Sequence, residues 1–255
     1  NDLDDGFTRG NERLEEVEAG AKDERGESNQ PFIRVLDRKA IGEITTYWNR
    51  RLGTSVSDLH GVWMQRHLRR CESLCLGRFA TTVGDLIIRT MATRAAPGPT
   101  AQCLEIGTLF GLGGLLTHQV TRPYFENLET TVIDCFDGYY GSSTLDTPTG
   151  LPVTREVFDT NRKLLGIPED EIRILHGLSQ DPAILEQAST SEYDLVVVDG
   201  DHTYAGVKND VDRYGPLLRP GGLLIIDDYS SPQWPEITKY VDDELSEHPD
   251  YEFLD

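Results

Sequence analysis

Basic residues, long apolar runs and paired cysteines are all in short supply in this chain. Its 255 residues carry 24 Lys and Arg against 44 Asp and Glu, a formal charge of −20 at pH 7. An acidic surface repels phosphate backbones and anionic headgroups, so neither nucleic acid nor a membrane is expected as a partner. No apolar stretch approaches the roughly 20 residues that a membrane-spanning helix needs, and the first residues do not follow the basic-then-apolar order of a signal peptide. A cytoplasmic protein is the expectation. Of the four cysteines (Cys71, Cys75, Cys103 and Cys135), none forms a zinc-type CxxC pair. They lie in apolar or helical contexts, which predicts buried, reduced thiols. A small molecule or a cation remains as the natural ligand of such a surface.

What is present falls into three regions. Residues 1–31 are charged and Gly-rich, with only Leu3, Phe7, Leu14 and Val17 as large apolar residues. That is too little burial to offset ordering entropy, so an acidic flexible arm is expected. In residues 32–97 the segments ITTYWNRRL, DLHGVWMQRHLRRCESLCLGRF and TTVGDLIIRTMATR repeat apolar residues at i, i+3 and i+4. This spacing predicts helices, with breaks at Gly53 and Ser57-Asp58, and hence a helical cap. The Trp, His and Arg residues of the cap form no motif. After AAPGPT the pattern changes to short β-rich runs alternating with helices through residues 98–255.

Strands are predicted at Gln102–Ile106, Thr131–Cys135, Ile172–His176, Asp194–Val198 and Leu223–Asp227, with helices at Arg155–Leu165, Ala205–Leu217 and Pro235–Glu247. Strands that are apolar throughout and alternate with helices predict an α/β fold, a parallel sheet covered on both faces. Ligands of such sheets sit at the carboxyl ends of the strands. Two apolar runs here end in carboxylates at that position, Asp199 and Asp201 after one, Asp227 and Asp228 after the other.

The first predicted strand runs into CLEIGTLFGLGG. Gly107, Gly111 and Gly113 let the backbone turn tightly and approach a ligand ahead of a helix N-terminus. Their spacing is not the GxGxxG of dinucleotide-binding proteins, and Glu105 would repel a pyrophosphate but attract a cationic amine. Asp134, at the end of the second strand, is placed to accept hydrogen bonds from ribose hydroxyls.

Together, LEIGTLFGLGG, TVIDCFDGYYG and VVVDGDHTYAGVKNDVDRYGPLLRPGGLLIIDDYS resemble the class I S-adenosylmethionine-dependent methyltransferases. More narrowly, they are similar to the metal-dependent sugar O-methyltransferases of the macrocin and mycinamicin type. The resemblance spans about residues 100–245. It implies a Rossmann-like, doubly wound, mostly parallel sheet with the helical residues as an N-terminal cap. It implies S-adenosylmethionine bound by the Glu105–Gly113 loop, including Thr108, by Asp134 and Asp199, and by the segment from His176 to Ser179 near the adenine. It further implies a divalent metal on Asp199, Asp227 and Asp228, a homo-oligomer, and a hydroxyl of a glycosylated natural product of antibiotic biosynthesis as methyl acceptor. One departure stands out: the residues after Asp228 suffice for a helix and one strand at Tyr251–Leu254, where the family's sheet usually ends in an antiparallel hairpin.

Physical chemistry supports the metal. Three carboxylates converging in a crevice repel one another unless a cation lies among them. An all-oxygen set favours Mg²⁺ ahead of Ca²⁺ or Mn²⁺. Relatives take the acceptor proton on a His or an Asp close behind the first metal Asp, and DGDHTY offers both His202 and Asp201. A His near its ordinary pKa of about 6.5 is neutral at working pH, which favours His202 without excluding Asp201. A non-methylating cofactor-binding accessory protein of a hydroxylase-type system and a nicotinamide-dependent dehydrogenase are the alternative functions, the latter disfavoured by the glycine spacing and Glu105.

Overall fold

The computed structural model describes residues 33–138 and 145–254. The expected arm, 1–31, lies outside the described residues. Three helices open the described chain: α1 (Arg38–Leu52), α2 (Asp58–Leu74) and α3 (Val83–Arg94). Each starts where a side chain replaces a missing backbone acceptor. Asp37, Ser57 and Thr82 accept from the amides of Ala40, His60 and Asp85, and Asp85 returns the bond in a capping box. Gly53 closes α1 in the left-handed conformation at φ 65°, at the break that the sequence predicts.

Strands and helices then alternate: β1 (Thr100–Ile106), α4 (Leu112–Thr121), β2 (Asn127–Asp134), α5 (Arg155–Leu164), β3 (Ile172–His176), α6 (Pro182–Ala188), β4 (Tyr193–Val198), α7 (Tyr204–Tyr214), β5 (Leu218–Ile226) and α8 (Pro235–Tyr240). The sheet order is β3-β2-β1-β4-β5, and every pairing is parallel. This is the Rossmann-like, doubly wound α/β sheet. Strand order reverses between β1 and β4, which opens a crevice at their carboxyl ends. In the register, Ile106 stands beside both Ile133 and Val198, and Val198 beside Ile226, so the residues following four strands share one rim.

Packing ties the N-terminal helices to the sheet. Ile41, Met64, Leu68, Ile87 and Met91 lie in one buried cluster with Phe110, Leu115, Leu116 and Phe158 of the sheet-covering layer. The opposite face is covered by Ile184, Val207, Val211, Ile237 and Tyr240. Burial pushes the thiols of Cys71 and Cys75 up to about 11 and that of Cys103 to about 12, so they stay protonated.

Two sequence expectations are corrected here. β2 and β5 begin earlier than predicted, because Asn127–Thr130 pair with Thr100–Cys103 and a register shift brings Leu218 beside Tyr193. Tyr251–Leu254 is not a strand. Tyr251 packs over Gly215, so close that a Cβ there would meet its hydroxyl at 2.1 Å, and against the apolar cluster that holds Val211, Tyr214 and Tyr240. The predicted helix Pro235–Glu247 forms as α8 followed by a π-helical turn, Val241–Leu245. Among the described residues no helix is long and apolar enough to cross a membrane.

Candidate active site

The loop after β1 is held in shape by a carboxylate. Asp134 Oδ2 accepts from the amides of Thr108 (2.8 Å) and Leu109 (3.3 Å), and Oδ1 from that of Phe136 (2.7 Å). A carboxylate accepts about four hydrogen bonds, so Asp134 keeps roughly one position for a ligand hydroxyl. Burial raises its pKa, and these three amides oppose the rise. Gly107, at φ 79°, lets the loop leave β1 against β4: a Cβ there would lie 2.1 Å from the Asp199 carbonyl oxygen. Gly111, at φ 82°, starts α4 against Phe158. Thr108 Oγ1 donates to Glu105 Oε2 at 2.7 Å. His176 stands beside Asp134 in the register and donates from its ring to the Cys135 carbonyl. Ser179 is buried, and its carbonyl accepts from Tyr214 beneath α7.

The second half of the site lies where β4 and β5 end. His202 Nε2 is 3.5 Å from Asp199 Oδ1 and 3.3 Å from Asp228 Oδ2. One ligand atom from each of Asp199, His202 and Asp228 falls within 4.8 Å of the others, a spread that suits one metal ion. The sequence expected Asp227 in this group. Its Oδ2 lies instead 3.0 Å from Arg89 NH2, and His202 takes the third place. Asp228 reaches inward from a left-handed backbone at φ 58°, and Leu109 and Phe136 at the neighbouring strand ends are also left-handed. Such strain in non-glycine residues persists where the surroundings over-determine it, commonly at functional sites.

Charge explains the electrostatics. Burial, then repulsion from Asp227, raises the pKa of Asp199 well above the carboxylate range and that of Asp228 to about 6. Burial lowers His202 to about 4, so its imidazole is neutral at working pH. Its ring stacks on Trp234, centroids 4.6 Å apart. His202, Trp234, Asp201, Thr203, Gln233 and Glu236 line a cleft of about 230 Å³. Asp201 Oδ1 accepts from the Thr203 amide, so Asp201 stands at the cleft wall and outside the three-ligand group. Tyr204 and Tyr229 point their hydroxyls at Glu244 and Asp242.

A doubly wound parallel sheet with a glycine loop after its first strand is the arrangement that the sequence resemblance implies, and here the sheet order is 3-2-1-4-5. Residues 104–229 match the family model described as a methyltransferase domain. This segment is a class I methyltransferase domain. It belongs to the S-adenosylmethionine-dependent kind. Among solved structures, cofactor-bound Rv0187 from MTB is 16% identical, with a TM-score of 0.51 over 85% of this chain and 88% of that one, and shares the fold. The calicheamicin methyltransferase CalS11 matches at 16% identity and a TM-score of 0.45 over 88% and 90% of the two chains. MycE of the mycinamycin biosynthetic pathway, solved with Mg, SAH and mycinamycin VI, matches at 20% identity and a TM-score of 0.38 over 76% of this chain and 39% of its own. No curated protein matches the chain.

Three residues of the candidate site escaped the sequence reading. Gly114 receives Glu105: a Cβ there would lie 2.3 Å from Oε2. The doubled glycine of GLGG was its signal. Arg89 is 2% exposed and contacts Glu105, Asp199 and Asp227. Its signal was an arginine among the apolar positions Leu86, Ile87 and Met91. Trp234 had none.

Proposed function

We propose that this methyltransferase transfers the methyl group of S-adenosylmethionine to a hydroxyl of a glycosylated small molecule and requires a divalent cation, Mg²⁺ by preference. The carrying observation is the convergence of Asp199, His202 and Asp228 where β4 and β5 end, with His202 also lining a cleft that has Trp234 as an aromatic wall. The donor set fits a dication. Two oxygens and a neutral imidazole already aim at one point, and repulsion among the buried acids favours a cation there. When bound, the ion would polarise the acceptor hydroxyl and lower its pKa.

The chain's own residues supply the rest. Asp134 offers an acceptor to the ribose while it holds the loop. Trp234 gives the acceptor ring a flat apolar face, and Gln233 and Glu236 give polar groups at its edge. His202 turns its Nε2 to Asp199 and Asp228, which gives that nitrogen to ligation and not to the acceptor's proton. Asp201, on the wall of the same cleft, then takes the acceptor's proton. This reading assigns the base to Asp201, where the sequence favoured His202.

Methyl transfer to a panel of glycosylated macrolides and sugar nucleotides, with and without EDTA, tests the proposal. Activity should vanish in EDTA and return with Mg²⁺, while calorimetric binding of S-adenosylhomocysteine survives chelation. Asp201→Ala should keep Mg²⁺ binding and lose about 10²-fold or more in turnover. Full activity after exhaustive chelation would remove the metal from the mechanism.

A further inference from the structure

We propose that Arg89 is the positioning residue of this site, a resident cation that fixes Glu105, Asp199 and Asp227 and thereby confines the metal ion to the side of Asp199, His202 and Asp228. The inference rests on the function proposed above, but its observation is separate. Arg89 comes from α3, outside the matched residues 104–229. Its guanidinium spans three strand ends: NH1 donates to Glu105 Oε1 at 3.0 Å, and NH2 lies 2.9 Å from Asp199 Oδ2 and 3.0 Å from Asp227 Oδ2.

The contacts divide Asp199 between two charges. Oδ2 belongs to Arg89, and Oδ1 is the oxygen facing His202. A fixed fork on one oxygen orients the other, as partners behind a metal ligand do elsewhere. Asp227 is withheld from the metal group by the same nitrogen. Space for this arrangement is built into α4, where a Cβ on Gly113 would stand 3.1 Å from Arg89 NH1 and one on Gly114 would strike Glu105. The paired glycines of GLGG therefore serve the ion pair. A buried arginine charge is costly unless it is paired, and here three carboxylates meet it at NH1 and NH2.

Arg89→Lys keeps the charge and loses the fork; Arg89→Met loses both. Calorimetric titration with Mg²⁺ and with S-adenosylhomocysteine, and melting in EDTA or saturating Mg²⁺, compare them with the wild type. Arg89→Lys should bind Mg²⁺ roughly 10- to 100-fold more weakly, the usual effect of losing a partner behind a ligand. A residue that only balanced charge would tolerate lysine. Arg89→Met, which loses fork and charge together, should melt far lower in EDTA and gain less from Mg²⁺ than the wild type gains. Lysine and methionine variants with wild-type Mg²⁺ affinity would overturn the proposal. If Arg89→Met does not fold in either buffer, Arg89→Met/Asp227→Asn decides: recovered folding supports the charge coupling, and none overturns it. A wild type that bound neither Mg²⁺ nor S-adenosylhomocysteine would instead defeat the function proposed above, and the melting comparison in EDTA would still show whether Arg89 fixes the three acids.

Discussion

Asp199 and Asp134 show how a single carboxylate here serves several protein partners at once. Asp134 already accepts three backbone amides from the loop it would share with a ribose. Asp134→Ala should therefore weaken S-adenosylhomocysteine binding by about 1.5–3 kcal/mol, the range of charge-assisted hydrogen bonds, and also lower the melting temperature. Calorimetry and melting on one preparation would show whether the two losses occur together; unchanged affinity would take Asp134 out of the site. His202 makes a pH prediction. Its folded pKa is about 4, against about 6.5 in an unfolded chain. On acidification the unfolded chain binds the proton first, so the stability is complete above pH 6.5 and declines as pH falls toward 4. The decline amounts to about 3 kcal/mol at most. Asp228 acts in the opposite sense, because its pKa is raised to about 6 and burial of its charge is relieved as pH drops through that value. Urea unfolding in EDTA at pH 7 and pH 5 should show a more favourable acid-side change in His202→Gln than in the wild type. Equal changes in the two proteins would contradict the buried, neutral imidazole.

Among the strands and helices, the rim depends on how closely β1 and β4 end together. Gly107 permits that approach through its positive φ and its lack of a Cβ, whereas Gly221, at φ 80° in β5, has nothing within 4 Å of the place a Cβ would take. Alanine at either position meets the left-handed backbone, at more than about 1 kcal/mol. Gly107→Ala should cost clearly more, since it also drives Asp199 away, and should abolish S-adenosylhomocysteine binding, while Gly221→Ala should retain it. Denaturant melts and calorimetry on the pair provide the comparison. Element identity was legible because the strand runs are short, apolar and bounded by turn residues. Starts were less legible: Asn127–Glu129 and Leu218–Gly222 carry polar, Pro or Gly residues that only a paired neighbour turns into strand. The tail at Tyr251–Leu254 looked like a strand by composition, but it pairs with no strand, and Tyr251 packs on Gly215 and the helical cluster instead.

Over the entire chain, the formal charge of −20 acts against compaction, and the site concentrates several of those charges around one arginine. Monovalent salt screens such repulsion, so the melting temperature should rise between roughly 10 mM and 300 mM NaCl, where the Debye length falls from about 30 Å to below 8 Å. A fall would mean that attractive pairs dominate, the exposed Arg38–Asp58 pair among them. The α/β alternation, the parallel sheet, and the place of Glu105–Gly113, Asp134, Asp199, His202 and Asp228 at the carboxyl ends of its strands were readable from the order of residues. Those follow from periodicity and from residue types whose chemistry is local. Folding in three dimensions was needed to show that Arg89 reaches Glu105, Asp199 and Asp227, that His202 joins Asp199 and Asp228 while Asp227 turns to the arginine, and that Trp234 backs His202 at the cleft. Those contacts join residues as far apart in the chain as Arg89 and Asp227. No periodicity records which side chains two separate elements present to one another, because that is settled by how the packed core orients α3 and the β5–α8 segment over the sheet.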